Sequence, residues 1–306
     1  MNRSGVSALL CPLCAGSFGI DCATTPKPSA LVCDSGHSFD IAKQGYINFL
    51  TGAGTRFVAD SAAMVAAREE FLAAGHYLPL AQALATTVLA HSPDNGDSLV
   101  VDAGTGTGYY LHQLHRAAAQ RRPSAGLAQG PTGPALASIG LDISKFALRR
   151  AARLNPETLN LVWDVWQPLP IAAVTADVVV VVFAPRNPAE FARILTPRGV
   201  LVVATPLPGH LAEIAGVAGL LALQEDKQNV LQASVATHFA PGGFTDVEHQ
   251  MSLSPADVFR IALMGPAGHH LDPAQLRDRV AALPEHTDVT ARFRISTFYP
   301  HHTPAH

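Results

Sequence analysis

Residues 99–108 read Leu-Val-Val-Asp-Ala-Gly-Thr-Gly-Thr-Gly, an apolar strand that breaks into a glycine loop with an acid at its tip. Glycines at 104, 106 and 108 permit positive φ and let backbone approach a ligand closely. Residues 109–122 then carry a helical pattern, so the segment is a strand–loop–helix unit of the kind that binds nucleotides. The spacing is Gly-x-Gly-x-Gly rather than Gly-x-Gly-x-x-Gly, and Asp102 stands two residues before the first glycine. A carboxylate at a strand end does nothing for a pyrophosphate, whereas it attracts the ammonium of a methionine moiety. The pattern therefore favours S-adenosylmethionine (SAM) over NAD, with Asp102, Gly104 and Gly106 beside the cofactor.

The remaining chain supplies the rest of such a fold. Strands are predicted at 98–102, 138–142, 159–163, 176–183 and 199–205, the last after the turn Thr196-Pro197-Arg198-Gly199. Helices are predicted from Asp60-Ser61 onward, over 78–90, and over 145–154. The continuous valine runs suit a parallel sheet buried on both faces. Alternating strands and helices imply an α/β, doubly wound, Rossmann-like sheet with its ligand at the strand C-termini, the class I SAM-dependent methyltransferase architecture. Further strands are expected near 244–253 and 289–298, with two helices between them. Residues 123–134, rich in Gly, Pro and Ala, read as a disordered surface loop. The expected division is a zinc-binding recognition module over 1–50, a helical linker over 51–92, and the SAM-binding domain over 93–306.

All four cysteines lie near the start: Cys11, Cys14, Cys22 and Cys33. No secretory signal is apparent, so a cytoplasmic, reducing location is expected and metal is a better reading than disulfides. Cys11-Pro-Leu-Cys14 has the spacing of a zinc knuckle, and Cys33-Asp-Ser-Gly-His37 offers a second turn with Gly36 to bend it. Cys11, Cys14, Cys33 and His37 would make one closed, structural S₃N zinc site, since catalytic zinc keeps a position for water. Cys22 competes as fourth ligand but has no partner at turn spacing. The aromatics around 38–50 read as the mini-core of this module before they read as a base-stacking platform.

Asp142 ends the second strand, where an acid can accept from both ribose hydroxyls; the alternative, a helix N-cap, can be filled by Ser144. Asp164 follows the third strand and is placed to accept from the adenine amino group. After the fourth strand comes Ala184-Pro185-Arg186-Asn187-Pro188, which lacks the Asn/Asp-Pro-Pro-aromatic motif of exocyclic amine methylation. His210 can face the cofactor, although a lone histidine is more often a packing residue. A net charge of −3 gives no global pull toward nucleic acid, so an RNA partner needs local basic patches. No run of about 18 apolar residues is present, which argues against a membrane span.

The zinc ligands, Gly36-His37-Ser38-Phe39-Asp40 and Gly45-Tyr46-Ile47-Asn48 together resemble the zinc-containing 23S rRNA guanine-N1 methyltransferases, which act on hairpin 35 of the exit tunnel. The resemblance continues through Met64-Val65-Ala66-Ala67-Arg68, Gly75-His76-Tyr77, the glycine loop, Leu141-Asp142-Ile143-Ser144-Lys145 and Ala204-Thr205-Pro206. Asp164-Val165-Trp166 and the 183–188 segment look most like the tylosin-resistance branch, which modifies guanine 748; a sister branch modifies guanine 745. The resemblance implies that Tyr77, Gly106, Thr107 and His210 contact SAM. It also implies a homodimer that grips the RNA hairpin, and macrolide resistance as the phenotype.

The sulfonium methyl is already activated, so such an enzyme mainly aligns guanine N1 with it and accommodates the lost proton. Asp60, Arg186 and Asn187 are the candidates on the target side, the last two for the guanine O6 edge. Lys43, Arg56, Arg68 and the Lys145/Arg149/Arg150/Arg153 helix are candidates for phosphate. Two rivals remain: a small-molecule methyltransferase, and a non-catalytic SAM- and zinc-binding protein that shields the ribosome by occupancy.

Overall fold

The computed structural model describes residues 3–19, 29–51, 54–93, 98–121, 136–220 and 227–301. The predicted loop at 123–134, the competing Cys22, and residues 52–53 of the expected 51–92 linker lie outside the described residues. A small antiparallel hairpin pairs β1 (Ala30–Val32) with β2 (Ser38–Asp40). Strands β3 (Tyr46–Asn48), β4 (Ser98–Ala103), β5 (Leu136–Asp142), β6 (Leu159–Val162), β7 (Ala176–Val182), β8 (Leu195–Pro206), β9 (Phe239–Leu253) and β10 (Thr287–Pro300) form the main sheet. Their order is β3-β6-β5-β4-β7-β8-β10-β9. Six run parallel, from β3 to β8, and β10 and β9 close the far edge antiparallel.

From β4 the chain moves outward to β5 and β6, then returns to the other side of β4 for β7 and β8. The strand order therefore reverses beside β4, and a crevice opens there at the strand C-termini. Side chains alternate faces along each strand. Leu99, Val101, Val179 and Val181 pack into one apolar cluster, while Val100, Val178, Val180 and Val182 pack into the other. The run of valines in β7 is thus two half-cores read in alternation, the signature of a sheet covered on both sides.

One cover is helical. Helices Leu78–Ala90 and Tyr109–Arg121 bury Leu80, Leu84, Leu111 and Leu114 against the Val100 and Val178 face. The opposite cover includes the first fifty residues. Val6, Leu9, Phe18, Leu31, Phe39 and Phe49 belong to the same cluster as Leu99 and Ile139. Phe49 stacks 5.6 Å from Phe18 and lies 4.8 Å from Phe39, centroid to centroid. These aromatics are the interior of the module, and β3 carries it into the sheet by pairing Tyr46, Ile47 and Asn48 with β6.

Local signals account for the helix starts. Ser61 and Ser144 accept from Met64 N and Ala147 N, capping Ala62–Ala73 and Lys145–Leu154. Ser254 and Asp257 form a reciprocal capping box ahead of Pro255–Met264. Helices Arg3–Ser7, Pro188–Ile194 and Lys227–Val235 were not legible in sequence, nor was β1. The second is only 7 residues long, too short for its buried Phe191 and Ile194 to make a period. Strand β8 starts at Leu195 rather than 199, because the Thr196–Gly199 turn bulges out between the Leu195 and Val200 pairings with β7. Strand β7 stops at Val182, since Phe183 turns into the left-handed region at φ 53°.

Gly108 has φ +79°, and a Cβ there would meet Asn155 Nδ2 at 2.7 Å and Ala151 Cα at 3.0 Å. Gly75 shares a positive φ of +85° but has open space around it. Gly108→Ala is expected to cost about 2 kcal/mol or more in urea unfolding, and Gly75→Ala only about 1 kcal/mol of backbone strain. Equal losses would mean that the close helix packing at Gly108 contributes nothing.

Candidate active site and metal centre

The C-termini of the parallel strands bring the predicted cofactor residues together. Asp102 sits in β4 with 1% exposure, and neither carboxylate oxygen has a hydrogen-bond partner. Burial raises its pKa to about 7, aided by the nearby charge of Asp142, while the Thr105 hydroxyl beside it pulls the other way. A buried carboxylate without a donor is costly, and a cationic ligand would relieve that cost. Such a carboxylate has the charge and setting to take the ammonium of a bound ligand.

The glycine loop wraps this point. Gly104 and Gly106 adopt φ of +87° and +55°. A Cβ on Gly104 would fall 2.3 Å from Ala184 Cβ, so the loop after β7 closes directly over it. Gly106 N donates to Asp142 Oδ2 at 3.0 Å and Ser144 N to Asp142 Oδ1 at 2.7 Å. Ser144 caps the helix, which leaves each Asp142 oxygen one lone pair for a ribose hydroxyl. Thr107 is buried within the same turn.

Tyr77 and His210, 133 residues apart, meet here at 3.2 Å between Oη and Nε2. Arg292 N donates to His210 Nδ1 at 3.0 Å, so Nδ1 is an acceptor and Nε2 carries the proton toward Tyr77. Burial, with His249 adding to it, lowers the His210 pKa to about 4, which keeps the ring neutral. Phe183 and Phe293 pack on Tyr77 and complete an aromatic wall at the end of β7. Phe183 is a non-glycine residue held at positive φ, the kind of strain that collects at binding sites.

Asp164 is 4% exposed, and its oxygens accept from Thr55 Oγ1 at 2.7 Å and Trp166 N at 3.0 Å. Asn187 donates its amide to Val165 O at 3.0 Å, tying the loop after β7 to the loop after β6. Arg186 is half-buried, with burial lowering its pKa, and it pairs with no acid among the described residues. Asp60 is bracketed by Arg68 at 2.6 Å and His269 at 3.3 Å. Arg68 also donates to Met264 O and reaches over the glycine loop, where a Cβ on Gly106 would meet its Nη1 at 3.7 Å. It is not a free phosphate contact, and neither is Arg150, which is paired with Glu69. Phe293 escaped sequence reasoning, and Arg68 and Phe183 were named in it without these roles, because their neighbours lie far along the chain.

The metal candidates cluster separately. The ligand atoms of Cys11, Cys14, Cys33 and His37 all lie within 4.8 Å of one another. Cys14 and Cys33 sulfurs are 3.8 Å apart, and His37 Nδ1 lies 3.6 Å from Cys11 Sγ and 3.5 Å from Cys33 Sγ. A zinc tetrahedron with S at ~2.3 Å and N at ~2.0 Å has edges of about 3.5–3.8 Å. Ala15 at φ 55° and Gly36 at φ 83° supply the left-handed bends of the two turns. The residues fit one zinc, held through Nδ1 of the histidine.

Residues 9–51 match the family described as RlmA, N-terminal, a zinc ribbon. A Micromonospora griseorubida protein named as a 23S rRNA (guanine-N(1)-)-methyltransferase is 44% identical over 304 residues, covering 95% of this chain and 97% of that one. The 23S rRNA (guanine(748)-N(1))-methyltransferase of Streptomyces fradiae is 39% identical over 290 residues, covering 95% and 96%. The chain belongs to the 23S rRNA (guanine-N1)-methyltransferase family. A Bacillus halodurans structure solved under the name of a methyltransferase is 12% identical, covering 70% of this chain and 97% of that one at TM-score 0.45. For this family member SAM is the cofactor and one structural zinc the metal, and both sites above fit them. The zinc-ribbon match includes every cluster ligand and also β3, the strand that enters the main sheet.

The folded, ligand-free protein keeps a proton on Asp102 between about pH 4 and 7 that the unfolded chain has already lost. This group's contribution to stability therefore falls as pH rises through that window, and SAM binding below pH 7 should release about one proton. Calorimetry in buffers of different ionisation enthalpy is expected to show that release, with affinity rising toward pH 7. Asp102→Asn should remove the release and weaken SAM binding at least about tenfold. The metal site carries its own expectation: Cys33→Ser should lose zinc by mass spectrometry and lower the melting midpoint by about 5 °C or more, because its core is shared with the sheet.

Proposed function

We propose that this chain transfers the methyl group of SAM to N1 of a guanine in 23S rRNA, of the guanine 748 type, in the exit-tunnel hairpin. The observation that carries the reading is kinship at 39% identity along nearly the whole chain with an enzyme named for that reaction. The orphaned Asp102 carboxylate at the sheet switch point supports it independently. SAM supplies an already activated methyl, so the protein's work is binding, orientation and charge.

In this reading Asp102 accepts from the cofactor ammonium and Asp142 from the ribose. Asp164 accepts from the adenine amino group, and Tyr77, Gly104, Gly106, Thr107 and His210 shape the cleft. Arg186 stands where charge grows on guanine O6 as the N1 proton leaves, and its lack of an acidic partner keeps it available. Asn187, spent on Val165 O, positions that loop, and Asp60 latches Arg68. The guanine must leave its stack to reach this crevice. A homodimer gripping the hairpin, a cytoplasmic location and protection against tylosin-type macrolides belong to the same proposal. Among the described residues no helix is long and apolar enough to cross a membrane.

Labelled methyl from SAM is expected to appear in 23S rRNA, and reverse transcription should stop at the modified guanine, since N1 methylation blocks Watson–Crick pairing. Arg186→Ala should lower kcat about a hundredfold with SAM affinity unchanged, and Arg186→Lys should recover part of it. Protection of ribosomes in stoichiometric amounts without methyl incorporation would favour the non-catalytic rival. Methyl transfer to small molecules alone would favour the other.

A further inference from the structure

Among the exposed aromatics, Phe57 and Trp166 face each other from the loops before the first long helix and after β6. Phe57 is 38% exposed and Trp166 is 49% exposed. Their ring centroids are 6.3 Å apart with planes inclined by 32°. A base stacked between two rings needs them nearly parallel and about twice the ~3.4 Å stacking thickness apart, so this tilted pair has to open and turn toward parallel to admit one. Neither belongs to an apolar cluster, and burying exposed aromatic surface of this size needs a partner.

The surroundings are polar and cationic. Arg56 places its guanidinium carbon 5.1 Å from the Phe57 centroid and pairs with no acid among the described residues. Gln167 donates its amide to Gly54 O at 3.2 Å, and both residues line a cavity of about 400 Å³ between the two loops. The Thr55 to Asp164 hydrogen bond at 2.7 Å ties the two loops together. An open slot between aromatic faces, with an arginine for backbone phosphate, is the chemistry that takes an unpaired nucleobase from solution.

We infer that Phe57 and Trp166 form a clamp that stacks one unpaired RNA base next to the cofactor crevice, with Arg56 on the adjoining phosphate. The clamp rests on the RNA substrate proposed above. It adjoins the adenine subsite, since Asp164 lines the same cavity, but the two rings face solvent while Asp164 is buried. Its occupant is a single-stranded nucleotide of the substrate.

The test uses full-length, zinc-loaded protein, SAM and an RNA hairpin carrying the 23S target loop. Trp166 is exposed and Trp163 buried, so quenching of tryptophan fluorescence on adding RNA reads the clamp without any methyl transfer. Phe57→Ala and Trp166→Ala are each expected to raise the RNA Kd and KM about tenfold, within the range measured for single base–aromatic stacks. SAM affinity and zinc content should stay at wild-type values, and Trp166→Phe should restore most of the RNA affinity. Unchanged RNA affinity in both alanine variants would overturn the clamp, and so would a parallel loss of SAM affinity, which would assign the rings to the adenosine cleft. Failure of the wild-type protein to methylate the hairpin would count against the proposed reaction alone, since RNA-dependent quenching lost in Phe57→Ala would still report the clamp.

Discussion

A parallel sheet has to be covered on both faces, and here one cover is a segment that a metal must hold together. The module's residues up to Phe49 share a core with Leu99 and Ile139, yet its own hairpin has only 3 residues in each strand. Such a segment has too little apolar surface of its own to offset the entropy of ordering it. Four ligands closing a tetrahedron supply what the segment lacks. Cys11 and Cys33 belong to that core, so a zinc held there would brace the central core and not merely a tethered finger. Because β3 joins the sheet edge beside β6, metal, module and cofactor crevice form one mechanical unit.

The crevice is the complementary case, where the fold accepts a cost that a ligand removes. Asp102 is buried without a donor at the point where strand order reverses. The neighbouring acids show the contrast: Asp142 and Asp164 are both supplied with backbone or hydroxyl donors and serve the architecture as well as any ligand. Tyr77 and the neutral His210 add a dry wall whose proton position is set by Arg292 N. The pocket is preorganised around positive charge, which a sulfonium with an ammonium tail carries.

Strands β4, β5, β6 and β7, the capped helices at Ser61 and Ser144, and the glycine loop were legible because each carries its signal locally. Valine runs, a serine before an apolar period and glycines at positive φ depend only on near neighbours. The Cys11–Cys14 and Cys33–His37 turns were readable for the same reason, since two short spacings already aim the ligands inward. Helix Pro188–Ile194 was not, because 7 residues hold too little periodicity. The basic residues were the hardest to judge. Arg68 and Arg150 look alike in sequence to Arg56, but two of the three are spent on Asp60 and Glu69.

What the amino-acid order determined by itself was therefore most of the long elements, the candidate metal ligands and the acid near the end of β4. These follow from local periodicity, turn chemistry and residue type. What only the tertiary structure decided was which groups remain free once the chain has packed. Burial stripped Asp102 of partners, ion pairing withdrew Asp60 and Arg68, and loop packing brought Phe57 against Trp166 across more than a hundred residues. Desolvation and pairing are properties of neighbours in space, and a linear sequence does not contain them until the sheet brings its strand ends together.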